Sequence, residues 1–142
     1  MIYLDHAATT PVYPEALEAM TPYLDTYYFN PSGNYREGIS IRKTLNRIRL
    51  EIAESIHADP KEIVFTSGGT ESDNWALINA ARQYSAKGHH IITSSIEHHA
   101  ILHTCHFLES RDFDITFLPV TSKGIIDPEC LEKAIRPDTI LI

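Results

Sequence analysis

Long apolar runs are missing from this sequence. None approaches the roughly 20 residues that a membrane-spanning helix needs, and the opening Met1-Ile2-Tyr3-Leu4-Asp5 lacks the basic stretch and apolar core of a secretory signal. Neither membrane insertion nor export is expected. Basic charge is also in short supply. Twelve Lys and Arg stand against 19 Asp and Glu, a net charge of −7 with histidines neutral, so no nucleic-acid or anionic-membrane partner is expected. Cysteine is nearly absent. Cys105 and Cys130 have no metal-type spacing to each other, and a reduced, cytoplasmic setting is the default. Internal repeats and low-complexity tracts are lacking too. What is there, 142 residues with 43% apolar and 22% charged side chains, suits one globular domain. A chain of this length buries roughly 68–70% of its unfolded surface, enough for a core.

Residues 5–35 are rich in Thr, Pro, Tyr and Asn and read as loop and turn, with a short helix over Pro14–Leu24. Asn30-Pro31-Ser32-Gly33-Asn34 is a strong turn cluster. Ile41, Leu45, Ile48, Ile52 and Ile56 then recur at helical steps, and Asp59-Pro60 ends that helix. From there the pattern alternates. Glu62–Thr66 is a short β-type run, and Thr70-Glu71-Ser72-Asp73 opens a helix that Thr70 can cap and Gly88 stops. Leu77, Ile78, Ala81 and Tyr84 form its apolar stripe. His89-His90 marks a turn entering the strand Ile91-Ile92-Thr93. A helix over His98–Arg111, a strand over Ile115–Leu118, a helix from Asp127-Pro128 to Ile135 and a strand from Thr139 complete the series. Strands alternating with helices imply an α/β fold, a largely parallel sheet flanked by helices. The chain divides into an arm and loop segment, 1–35, and an α/β segment, 36–142. Thr139-Ile140-Leu141-Ile142 is an apolar strand signal with no turn or polar tail after it. Truncation from something longer is the expectation, and a small protein with a buried final strand is the alternative.

Ser67-Gly68-Gly69-Thr70-Glu71 joins a strand to a helix. Unpaired first-turn amides, the helix dipole and two glycines that permit close approach make it a candidate phosphate cradle. A strand-to-helix turn that binds nothing fits the two glycines equally well. The Lys-Ser/Thr pair of a Walker loop and the third glycine of a dinucleotide fingerprint are absent. His98, after the next strand, falls on the same rim if the two strands are near neighbours, and an imidazole there could stack on a flat ring or move a proton. Alone it reads as a solvent-facing histidine at a helix start. His99 and His103 share a helix face with His106 beyond, a spacing able to bind Zn²⁺ or Ni²⁺, although a polar helix face is the simpler reading. Asp5–Pro11 is by itself an ordinary loop whose small residues would let a ligand approach.

Taken together, these segments resemble one family. Tyr3-Leu4-Asp5-His6-Ala7-Ala8-Thr9-Thr10 is similar to the opening signature of the cysteine desulfurases, within the aminotransferase class V group of fold type I enzymes that use pyridoxal 5'-phosphate (PLP). Phe65–Asn74 resembles the family's phosphate-binding segment, and Glu97-His98-His99-Ala100 its E-H-x-A segment, in the same order and separation. The resemblance implies that 36–142 is an incomplete large α/β PLP-binding domain. It implies that Gly69 and Thr70 hold the cofactor phosphate, that His98 lies against the pyridine ring and helps move protons, and that His6, Ala8 and Thr9 line the substrate side. The implied reaction removes sulfur from L-cysteine, giving alanine and an enzyme persulfide that serves a sulfur acceptor protein or iron–sulfur clusters, in a homodimer.

One stretch departs from the family pattern N-P-S-S-x-H. Gly33 stands for a serine and Tyr35 for a histidine in Asn30-Pro31-Ser32-Gly33-Asn34-Tyr35, which leaves a selenocysteine lyase or another class V enzyme as the alternative. The resemblance also implies a Schiff-base lysine, a carboxylate on the pyridine nitrogen, a substrate-binding arginine and an acceptor cysteine beyond Ile142. Lys43, Lys61, Lys87, Lys123 and Lys133 match no such motif, and Cys105 and Cys130, both in expected helices, read as packing residues. The chain alone is expected to be inactive and, with a sheet edge uncovered, to self-associate. A non-enzymatic, His-rich metal-binding module is the third reading.

Overall fold

The computed structural model describes residues 1–142. They form two compact units, Met1–Val64 and Phe65–Ile142. In the first, Pro14 and Pro22 each open a helix, α1 (Pro14–Met20) and α2 (Pro22–Asp25). The single helix expected over Pro14–Leu24 is therefore two. Pro22 has no N–H to offer the Glu18 carbonyl, so the ladder breaks at Thr21 and restarts.

The long helix α3 (Arg36–Ser55) follows the Asn30–Gly33 turn. Gly33 N–H donates to the Asn30 carbonyl at 3.0 Å, and Ser32 N–H to Asn30 Oδ1 at 2.9 Å. This turn packs on α3. Arg42 donates to the Pro31 carbonyl at 3.1 Å, and Gly38 is buried so tightly that a Cβ there would stand 2.6 Å from the Asn30 carbonyl oxygen. Of the apolar stripe expected on α3, Ile41, Leu45 and Ile48 are half-buried and Ile52 and Ile56 exposed. The unit has no sheet for that stripe to close upon.

Beyond α3, Asp59 caps a short 3₁₀ turn, Pro60–Glu62, with Glu62 returning a carboxylate to the Asp59 N–H at 2.8 Å. The strand expected over Glu62–Thr66 is thus corrected. Glu62 is spent in the turn, and the extended residues after it lie outside the only sheet. A β-type composition becomes a strand only beside a hydrogen-bonding neighbour.

The second unit is a βαβ arrangement. Helix α4 (Gly69–Tyr84) leads to β1 (His90–Ser94), α5 (His99–Glu109), β2 (Asp114–Leu118), α6 (Pro128–Ala134) and β3 (Thr139–Leu141). The strands lie in the order β2-β1-β3, all parallel, with Ile91 opposite Ile115 and Ser94 opposite Leu118. Ile91 and Ile92 point to opposite faces of β1 and both are buried, as a central parallel strand requires. The core joins Leu77 and Ala81 of α4, Cys105 and Leu108 of α5, and Ile91 and Ile115 of the sheet. Apolar positions four apart on α4 and three apart on α5 supply it. Asp127 caps α6 by accepting the Glu129 N–H at 3.0 Å. Gly88, after α4, passes so close to Asp138 that a Cβ would strike that residue's carbonyl.

Candidate functional site

In a parallel sheet, ligands bind beyond the carboxyl ends of the strands. Here β1 ends at Ser94, and its continuation carries His98 to the start of α5. Thr70 and His98 line one cleft of about 380 Å³ together with Asn74, His99, His103 and Phe107. The structure therefore brings Thr70 and the His98 imidazole, 28 residues apart in sequence, to a common opening.

The turn is built by its own side chains. The Glu71 carboxylate accepts the Ser67 N–H at 2.6 Å and the Ser67 hydroxyl at 2.7 Å. Those two bonds, the backbone one first, hold the Glu71 carboxyl below its usual range. Thr66 Oγ1 and Ser72 Oγ stand 2.6 Å apart, each also within reach of the Gly68 carbonyl. Thr70 is not the cap that its position suggests. The cap residue is Gly68 and the helix opens at Gly69, because Glu71 and Ser72 have already closed the turn. This leaves the amides of Gly69, Thr70 and Glu71 without carbonyl partners in their own helix. A Cβ added at Gly68 or Gly69 would meet nothing within 4 Å. The glycines are thus not required by packing, and an open space lies over amides that carry partial positive charge.

His98 is the N-cap of α5. Its ring Nδ1 accepts the Ala100 N–H at 3.1 Å. An accepting Nδ1 places the proton of the neutral ring on Nε2. In the wall of the cleft, the Asn74 amide donates to the Thr70 carbonyl at 2.7 Å, and its oxygen lies 2.7 Å from the Thr104 hydroxyl. Thr104 is buried, and its hydroxyl also lies 2.8 Å from the Ala100 carbonyl. Sequence reasoning missed this link, since no local pattern pairs residues 30 apart.

The other expected residues fall as follows. His6 and Ala8 lie in a turn of the first unit, where Ala8 N–H donates to the Asp5 carbonyl at 3.1 Å, the His6 ring sits edge-on to Tyr3 at 5.2 Å, and Tyr3 and Thr9 hydroxyls bond at 2.7 Å. His99 and His103 stack with centroids 5.3 Å apart. His106 instead turns to Glu109, at 2.6 Å, and to Phe117. The metal-binding reading of the three histidines is thereby corrected. They do not converge, and no group of three or more His, Cys, Asp or Glu side chains is arranged to hold an ion. Gly33 and Tyr35, the two departures in the Asn30 turn, are in contact: a Cβ at residue 33 would enter the Tyr35 ring, which packs edge-on to Phe29.

The residues fit a phosphorylated aromatic cofactor. Free helix-start amides lie beneath open space at Gly68 and Gly69, and Thr70 shares a cleft with the His98 imidazole.

Comparison with known proteins agrees. The aminotransferase class V family matches residues 2–142. The chain is 51% identical over 141 residues to the cysteine desulfurase IscS of Methanosarcina thermophila, covering 99% of this chain and 35% of that protein. It is 50% identical to the cysteine desulfurase IscS of Neisseria gonorrhoeae, with the same shares. Among solved structures, a NifS-like protein superposes with a TM-score of 0.91 at 36% identity, over 97% of this chain and 38% of that one. A structure of SspA in complex with cysteine superposes at 0.88 and 42%, over 98% and 40%. The chain spans about a third of the length of the curated relatives it matches.

Proposed function

The chain belongs to the aminotransferase class V family, and from that premise we propose that it supplies the phosphate-holding part of the large α/β domain of a PLP-dependent cysteine desulfurase. The substrate is L-cysteine, the products are alanine and an enzyme persulfide, and the persulfide serves a sulfur acceptor protein in iron–sulfur cluster assembly or a related route. The working protein is a cytoplasmic homodimer. The single observation that carries this reading is that Thr70 and His98 share one cleft, each at the start of its own helix.

Each residue then has a task. The Gly69 and Thr70 amides and the Thr70 hydroxyl take the phosphate, a dianion suited to a helix start. The His98 imidazole lies against the pyridine ring. Its Nδ1 is engaged by Ala100, so Nε2 is the atom that holds or passes a proton. The family resemblance assigns His6, Ala8 and Thr9 to substrate. When bound, PLP supplies an electron sink for the substrate's α-carbon. All five lysines are exposed, and none lines the cleft; the 142-residue chain by itself has no activity.

Alanine release from L-cysteine tests this in the full-length protein with PLP. His98→Asn keeps a capping side chain and removes the imidazole. The expected result is alanine formation by wild type, a loss on the order of 10²–10⁴-fold in His98→Asn, and none from residues 1–142 alone. No alanine from the full-length protein, or alanine from the 142-residue chain, overturns the reading. Selenocysteine in parallel identifies a lyase if it is strongly preferred.

A further inference from the structure

Two of the cleft's working parts sit on different helices, and a hydrogen-bond chain centred on the buried Thr104 hydroxyl runs between them. It starts at the Thr70 carbonyl, which accepts the Asn74 amide at 2.7 Å. The other end of that amide, Oδ1, faces the Thr104 hydroxyl at 2.7 Å. The same hydroxyl lies 2.8 Å from the Ala100 carbonyl, and the Ala100 N–H reaches His98 Nδ1 at 3.1 Å.

The orientation of Asn74 is fixed by chemistry. A flipped amide would set its oxygen against the Thr70 carbonyl and lose the donor. Thr104 has one proton for two acceptors, so it spans α4 and α5 at the point where each presents its ligand-facing end. It is 3% exposed.

We infer that Thr104 is a positioning residue that sets the His98 imidazole in register with the phosphate-holding turn. The inference rests on the reading of the cleft as a PLP site. Thr104 sits in the wall of the cleft, nearly buried, and this role needs no contact with cofactor or substrate. It acts through Asn74 on Thr70 and through Ala100 on His98. Losing its hydroxyl frees the first turn of α4 to shift against that of α5, and the two holds on one ligand no longer agree.

Thr104→Val in the full-length holoenzyme removes the hydroxyl at nearly constant shape, and Thr104→Ser restores it. Three readouts apply: PLP affinity, the absorption spectrum of the bound cofactor across pH, and the ¹⁵N signals of the His98 ring. Expected for Thr104→Val are roughly tenfold weaker PLP binding, the worth of one such bond, a shifted pH midpoint in the spectrum and altered His98 ring signals, with Thr104→Ser close to wild type. Asn74→Ala breaks the same chain from the other side. It should reproduce these changes, and the double variant should be no worse than either single one. Wild-type signals in Thr104→Val, no rescue by serine, or additive losses in the double variant overturn the inference. If Thr104→Val does not fold, unchanged His98 signals in Asn74→Ala do so. Failure of wild type to bind PLP sinks the reading of the cleft itself.

Discussion

His90 Nδ1 lies 2.7 Å from Thr139 Oγ1, tying the first residue of β1 to the first residue of β3. The opposite ring nitrogen, Nε2, lies 2.8 Å from Thr116 Oγ1 in β2, so one fully buried imidazole spans the sheet.

That burial has a pH consequence. Desolvation, and then the nearby Arg136 charge, lower the affinity of His90 for a proton, against opposing pulls from Asp114 and Asp138. The folded form thus binds the proton less readily than the unfolded form. The His90 contribution to stability is full above the ordinary value of 6.5 and is lost as pH falls from there through the folded value. Melting temperature should drop between pH 7.5 and 5.5, and the drop should be smaller in His90→Gln. Equal pH slopes in the two proteins would contradict this.

Cys105 is fully buried, and burial first, then Glu109 and Glu97, pushes its thiol up to about 11. Only the thiolate reacts readily. Alkylation of the native chain at pH 8 should therefore label the partly exposed Cys130 and spare Cys105 until denaturant is added. Mass spectrometry of the labelled peptides checks it. Prompt modification of Cys105 would place it outside the packed core.

Gly38 and Gly33 should respond differently to the same added methyl. Inside α3, Gly38→Ala gains about 1 kcal/mol of helix propensity. Its new Cβ, however, would stand 2.6 Å from one backbone oxygen and 2.9 Å from another. Backbone cannot step aside cheaply, and overpacking costs about 1–3 kcal/mol. At Gly33 the obstacle is the Tyr35 side chain, which is exposed and can swing away. Thermal unfolding should show Gly38→Ala clearly destabilised and Gly33→Ala less so. Tyr35→His should offset part of the cost of Gly33→Ser. A Gly38→Ala variant as stable as wild type would refute the packing described for the Asn30 turn.

What could be read from the sequence was what repeats or punctuates locally. The α6 cap, the parallel strands and the βαβ order follow from apolar spacing and from Asp127-Pro128. Thr104–Asn74 and His90–Thr116 could not be read, because each joins side chains whose nearness exists only after the helices pack. The Glu62–Thr66 strand failed for a related reason, since composition cannot supply a neighbour. At the glycine turn, the sequence pointed to a helix start, which is there, and to the wrong capping residue, Thr70. A side chain four positions from Ser67, that of Glu71, had taken the turn's donors.

The most direct test is a titration of PLP into the full-length protein, ¹⁵N-labelled at glycine, threonine and histidine. The account predicts that the Gly69 and Thr70 amides and the His98 ring shift along one shared saturation curve, and that pyridoxal without its phosphate moves them at least about tenfold less tightly. PLP binding that leaves these three signals in place would contradict it.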